Sequence, residues 1–236
     1  MASNSVRKLS HVSFHADGEA WPFARDHRLA IDRHWQKAIA QNPKFFNGTI
    51  FLMTAFEVAG DTARGRFLRT DFKSYLYWRE SGWPDAGVLD GFGSALVKTR
   101  DGGILLARQN AGHINAGLVY LPGGFIDERD VTADETIDLT RSVSRELFEE
   151  TGLGPDVVQA MPGFYVTECR PQISFAVAYQ ANLTPESLKR RVEAFLAAGH
   201  DNELSDVIVA HGLAGIAHLN VAPYARLLLS ALFEGL

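Results

Sequence analysis

Apolar positions recur along this chain in two rhythms, one helical and one alternating. Between Arg25 and Gln41, the residues Leu29, Ile31, Trp35, Ala38 and Ile39 return roughly at helical spacing, which predicts a helix closed by Asn42-Pro43. Phe45 to Val58 is rich in aromatic and branched residues, broken at Asn47-Gly48, and reads as strand. Gly60-Asp61 signals a turn, and Arg66 to Tyr77 reads either as a strand or as a strand followed by a helix. Residues 1–20 are polar and aperiodic and predict a loose arm. Gly82-Trp83-Pro84-Asp85 punctuates the chain, so a boundary is placed near residue 88. It separates an N-terminal extension of helix plus strands, 1–88, from a second domain, 89–236.

The second part is more regular. Ser94 to Thr99 and Ile104 to Arg108 flank Asp101-Gly102-Gly103, a hairpin signal. A short strand, Leu118 to Leu121, stops at Pro122-Gly123-Gly124. A helix is predicted from Thr136 to Thr151, stopped by Gly152, with strands at Phe164 to Thr167 and Ile173 to Tyr179. Thr184 is the expected N-cap of a helix over Pro185 to Ala198. A strand at Asp206 to Ala210 and an amphipathic helix at Tyr224 to Phe233 close the chain. Strands interleaved with helices predict an α/β fold.

Composition narrows the function classes. Apolar residues at 46% and charged residues at 22% are those of an ordinary globular protein able to bury a core. A net charge of -5 gives no general attraction to nucleic acid or to anionic membranes, so an anionic ligand needs local cations or a metal. No run approaches the length of a membrane span, and no apolar run follows Arg7 and Lys8 as it would in a signal peptide. The single cysteine, Cys169, excludes an intramolecular disulfide and reads as a small apolar filler near a strand end. Cytoplasmic residence is the default expectation, and a homodimer is left open.

The chemistry concentrates in Arg145-Glu146-Leu147-Phe148-Glu149-Glu150-Thr151-Gly152-Leu153. On a helix, Asp138, Arg145 and Glu149 fall within roughly 40° of each other, and Glu146 and Glu150 extend the stripe to roughly 120°. Leu139, Val143 and Leu147 lie alongside as the anchoring face. The acidic patch is energetically costly. Glu146 and Glu150 repel at i,i+4 by about 0.2–0.5 kcal/mol. Carboxylates at the negative end of the helix dipole cost about 0.3–1 kcal/mol each. Only Arg145, at i,i+4 from Glu149, offsets this locally. A solvated acidic face is one reading. A bound hard cation, Mg²⁺ or Mn²⁺, is the other, and it removes the conflict.

This segment resembles the second half of the Nudix box, G-x5-E-x7-R-E-U-x-E-E-x-G-U, where U is a bulky aliphatic residue. Arg145, Glu146, Leu147, Glu149, Glu150, Gly152 and Leu153 fill its last seven defined positions, and Pro122-Gly123-Gly124 resembles its opening. The resemblance covers residues 90–210 approximately and implies a Nudix-type α/β/α sandwich with a mixed sheet, carrying the acidic helix at its edge and an N-terminal α+β extension. It implies Glu146, Glu149 and Glu150 as metal ligands, Arg145 as the residue that orients them, and Gly123 and Gly124 as backbone approaching the substrate. The spacing departs from the pattern: Gly124 stands 21 residues before Arg145 instead of 14. The first Glu would then fall on Ile137, with Asp138 or Glu135 as its replacement.

The activity so implied is Mg²⁺-dependent hydrolysis of a diphosphate bond in a nucleoside diphosphate linked to another group, a small-molecule substrate. Glu203, in the loop His200-Asp201-Asn202-Glu203, is the candidate general base. Asn47-Gly48-Thr49 and the segment Arg69 to Tyr75 resemble the extension of a branch that includes UDP-glucose-hydrolysing Nudix enzymes, making a UDP-sugar the leading substrate. ADP-ribose or a dinucleotide is the alternative, and a non-catalytic Nudix-fold ligand sensor a third reading. Arg66, Arg69, Lys73 and Arg79 are candidate cations for an anionic ligand, or a solvated strand face. Trp78 and Trp83 are read as packing before base stacking. His113, His200, His211 and His218, without metal-type spacing, read as loop or core histidines.

Overall fold

The strand β5 (Asp90–Lys98) shows how the sequence builds the centre of the molecule. Its side chains alternate between two faces, as a strand requires. Phe92 meets Tyr224 edge-on, ring centroids 4.9 Å apart, while Gly93 lies against Val143 and Leu139. Tyr224 belongs to α7 (Pro223–Phe233), and Val143 and Leu139 to α4 (Leu139–Thr151). Helices cover both faces, so β5 is buried along almost its whole length.

The computed structural model describes residues 4–199 and 203–235. A seven-stranded sheet runs in the order β1 (Ser5–Leu9), β8 (Val158–Cys169), β9 (Gln172–Ala181), β5, β6 (Ile104–Gln109), β10 (Leu204–Ala210), with β7 (Val119–Tyr120) beside β6. It is mixed: β5 and β9 are parallel and the other neighbours antiparallel. A three-stranded sheet has the order β2 (His11–Ala20), β4 (Thr62–Asp71), β3 (Thr49–Ala59). With it go α1 (Pro22–Asp26), α2 (Arg28–Gln41) and α3 (Phe72–Glu80). On the C-terminal side, α5 (Pro185–Ala197), capped by Thr184, packs on β10, and a short α6 (Leu213–Ile216) precedes α7. The architecture is the α/β/α sandwich with an N-terminal α+β extension.

Three expectations are corrected. The loose arm expected over residues 1–20 is ordered from Ser5 onward: β1 pairs antiparallel with β8, and β2 parallel with β4. Each buries few positions, Leu9 in β1 and Phe14 and Ala16 in β2, and its partner is distant in sequence, so no local pattern announces it. The helix predicted from Thr136 begins at Leu139, because the Asp138 side chain accepts from the Arg141 amide and caps it. The acidic helix is not at the sheet edge; α4 packs over β5 and β9, both interior strands.

The residues that lengthen the box loop make a small turn on the extension. Val131 and Ile137 bridge across it, the Ala16 amide bonds the Glu135 carbonyl at 2.8 Å, and the Ile137 amide bonds the Phe14 carbonyl at 2.9 Å. Phe14 joins the two sheets, packing edge-on to Phe67 (5.5 Å between centroids) and to Phe175 (4.6 Å). A largely apolar cluster, Trp21, Leu52, Leu68, Tyr75 and Trp78, fills the extension itself. Phe14→Ala should therefore cost about 3–5 kcal/mol and lower the melting temperature by roughly 10 °C. A thermal melt unchanged by this substitution would contradict the packing of β2 on the seven-stranded sheet.

Candidate active site

Arg145 is the hub of the acidic helix. Its Nη2 donates to the fully buried Asp130 at 2.9 and 3.1 Å and lies 3.4 Å from Asp127. Its Nη1 bonds Glu146 at 2.5 Å and Glu149 at 3.2 Å, the latter the i,i+4 pair. Burial works against this charge, but the bond to Asp130 and the charges of Glu146, Asp130 and Asp127 outweigh it and raise the guanidinium's pKa. Asp130 also accepts from the Ser142 hydroxyl and, closing a capping box, from the Asp127 amide.

The acid missing from the box is thereby located. Counted forward from Gly124, the x5 spacing lands on Asp130. The extra residues therefore lie between Asp130 and Arg145. Counting backward from Arg145 placed them before the acid, and so pointed to Asp138 or Glu135. Asp138 is instead the helix cap, and Glu135 occupies a turn at φ 62° with its carbonyl bonded to Ala16. Arg129, also unforeseen, reaches Asp127 at 2.6 Å, Glu149 at 3.3 Å and Glu146 at 3.9 Å. The acid–base run Asp127-Glu128-Arg129-Asp130 was the signal for both residues.

Glycines bring the backbone against the glutamates. The Gly123 amide donates to Glu150 at 2.9 Å, and a Cβ there would stand 2.3 Å from the Gly93 carbonyl. A Cβ on Gly124 would lie 2.7 Å from a Glu146 carboxylate oxygen. Only glycine fits position 123, against backbone, while a side chain at 124 would displace the Glu146 carboxylate.

These groups line one cleft of about 1110 Å³. Its lining includes Glu146, Glu149, Glu150, Glu203, Asp127 and Arg129 and, from the extension, Phe45, Phe46, Phe72, Tyr75 and Trp83. Glu203 joins the box glutamates there, with His113 Nδ1 3.9 Å from its carboxylate. His113 is thus a cleft residue rather than ordinary loop or core packing. His211 is exposed beside Asp101 and His218 is exposed, while His200, Asp201 and Asn202 lie outside the described residues. Of the four extension cations, Arg79 reaches the cleft; Arg66 pairs with Asp17, Lys73 with Asp32 and Arg69 with Glu128. Trp78 is core, and Trp83 stands edge-on to it at the cleft. Cys169 is half-buried at the end of β8.

The donor set suits a hard divalent ion. Burial, reinforced by the charges of Glu149 and Glu203, pushes Glu146 up to about 7 despite Arg145. Carboxylates so crowded are short of positive charge. Among the described residues no three His, Cys, Asp or Glu side chains already form a closed cage. Mg²⁺ does not need one, since it takes one or two carboxylates and fills its shell with water and substrate phosphate.

A buried acidic helix closed on a cleft by a glycine turn defines a hydrolase site for phosphorylated small molecules. The model of the NUDIX domain matches residues 91–225, and the protein belongs to the Nudix hydrolase family, enzymes that act on small nucleotide derivatives with divalent metal ions. No curated protein sequence matches the chain. Among solved structures it is similar to a Nudix hydrolase from M. smegmatis, RenU, at 15% identity over 61% of this chain and 84% of that one, TM-score 0.40. It is also similar to the MutT protein of Methanosarcina mazei Go1 (20% identity, 62% and 93%, TM-score 0.38). An ADP-ribose pyrophosphatase from Streptococcus suis 89-1591 matches at 17% identity over 62% and 92%, TM-score 0.35. No helix among the described residues is long and apolar enough to cross a membrane.

Without metal, Glu146 binds its proton more tightly in the fold than in the unfolded chain. Its stabilising contribution is complete below the ordinary carboxyl range and is lost as pH rises through about 7. In EDTA, the melting temperature should fall between pH 5 and pH 8, and Glu146→Gln should flatten that fall. An identical fall in both proteins would remove Glu146 as its cause.

Proposed function

We propose that this enzyme uses Mg²⁺, with Mn²⁺ as the alternative ion, to hydrolyse the diphosphate bond of a nucleoside diphosphate joined to another group. A UDP-sugar is the leading substrate. The observation that carries the reading is one cleft lined both by the box glutamates and by aromatic rings. The diphosphate belongs against the glutamates and the flat part of the nucleotide against the rings. We further take residues 1–88 as a substrate-binding extension of the hydrolase domain 89–236. A reducing compartment, the cytoplasm, suits a chain whose one thiol, Cys169, is free.

In this reading Glu146, Glu149 and Glu150 hold the ion, which when bound neutralises phosphate oxygens and acidifies water. Arg145 fixes the glutamates through Asp130. The Gly123 amide orients Glu150, and Gly124 leaves room for Glu146. Glu203, beside the box glutamates, accepts the proton of the attacking water, with His113 near its carboxylate. The sensor reading is disfavoured by the presence of all three box glutamates at the cleft.

Glu149→Gln and Glu150→Gln should each lower turnover at least about a hundredfold while the fold persists, and millimolar Mg²⁺ should raise the wild-type melting temperature over EDTA. Wild-type rates in both variants would end the metal-site assignment. A panel of UDP-sugars, ADP-ribose, dinucleotides and nucleoside triphosphates, each with Mg²⁺ and Mn²⁺, decides the substrate.

Glu203→Gln should depress kcat far more than it changes KM, and should alter the acid limb of the rate profile. Metal-induced stabilisation should survive in it. If Asp127→Asn abolishes turnover and Glu203→Gln does not, the base lies beside the box and not in the loop.

A further inference from the structure

The end of the cleft away from the box glutamates has a chemistry of its own. At its floor is Asp90, the first residue of β5, only 2% exposed. Its Oδ2 accepts from the Tyr75 hydroxyl at 3.0 Å and from Gln172 Nε2 at 2.9 Å. Its Oδ1 is buried and has no hydrogen-bond partner. Unpaired buried carboxylate oxygens are costly and rare, and one at the floor of a ligand-sized cleft points to a ligand donor. Above it Tyr75 stands edge-on to Phe125 (4.7 Å between centroids) and Trp83 (5.8 Å). Arg79, bonded to Asn115 at 2.7 Å, lies close enough to Asp90 and Tyr75 to act on both charges.

We propose that this corner is the nucleobase subsite, and that it selects a base with a ring N–H beside a carbonyl, the edge that uracil and guanine share. The inference rests on the cleft being a nucleoside diphosphate site. Aromatic walls accept a flat heterocycle. Burial pushes the Asp90 carboxyl up, while Gln172, Tyr75 and Arg79 favour its ionised form. Ionised, its free Oδ1 can only accept, so it takes a ring N–H, and Arg79, which can only donate, takes the adjacent carbonyl. Adenine and cytosine put a bare ring nitrogen at that position, and its lone pair would face the carboxylate. The spacing agrees. Asp90 and Gly93 are separated by roughly 10 Å of strand. Gly93 touches Gly123, whose amide holds Glu150. That separation accommodates a ribose and the first phosphate. Three of the groups, Tyr75, Arg79 and Trp83, come from the extension, which would thus decide the base while the box cleaves the diphosphate.

The test is titration calorimetry in EDTA, where binding is read without turnover, using UMP, N3-methyl-UMP, CMP, AMP and ribose 5-phosphate. The unmodified protein should bind UMP at least about tenfold more tightly than each of the others. Asp90→Asn can keep its oxygen on Tyr75 and Gln172 and turn its amide group to the ligand; it should erase the advantage of UMP over CMP. Equal affinity for UMP and N3-methyl-UMP overturns the proposal, and because it needs no variant it does not depend on Asp90→Asn folding. Ribose 5-phosphate binding as well as UMP, AMP binding better, or no UMP binding at millimolar concentration overturns it too. Such a result alongside Mg²⁺-dependent turnover that Glu150→Gln abolishes leaves the hydrolase reading standing. The expected binding pattern without turnover of any diphosphate would instead keep the subsite and remove the hydrolase reading.

Discussion

The acidic site depends on one guanidinium. Arg145 touches Asp130, Asp127, Glu146 and Glu149, and it is the group that lets so many carboxylates share the end of a helix. Its strongest anchor is not on that helix. Asp130 is fully buried in the preceding turn, held by Ser142 and the Asp127 amide as well. Removing one partner from a buried pair of this kind typically costs about 3–5 kcal/mol, because the other charge is left uncompensated. The loop that opens the box and the helix that carries the glutamates are therefore one electrostatic unit, and the orientation of Glu146 and Glu149 follows from a residue neither of them contacts.

The extension is tied to that unit by backbone. The lengthened loop leaves Asp130, turns at Glu135, bonds to Phe14 and Ala16 of β2, and returns to Asp138, the cap of α4. Insertions in surface loops cost little chain entropy, since the closure term grows only with the logarithm of length. Here the inserted residues gain sheet-like contacts in exchange. The same β2 carries Phe14 into contact with both sheets, so one strand ties the extension's sheet to the seven-stranded sheet.

The readable parts of the sequence were those whose signal is local. Periodicity marked α2, α5 and α7, the Asp101-Gly102-Gly103 turn marked the β5–β6 hairpin, and the run from Arg145 to Leu153 marked the helix of the site. What escaped was set by distant partners. β1 and β2 are mostly polar and bury few positions, so neither resembles a buried strand until β8 and β4 are beside it. Asp130 escaped because an insertion can sit on either side of a motif position, and spacing alone does not say which. Asp90 escaped because it precedes an apolar strand and looks like a turn residue. Only the fold brings Tyr75 and Gln172 to it.

The pairing of Ser5–Leu9 with residues 164–168 has a consequence for synthesis. During translation this strand is made about 155 residues before its partner. For most of that interval its amides and carbonyls are unsatisfied, an open edge that any other extended chain can join. The nascent protein must therefore keep this strand idle until its partner has been made. Lys8 and Arg7, side by side on that strand, are the kind of charge that discourages premature partners.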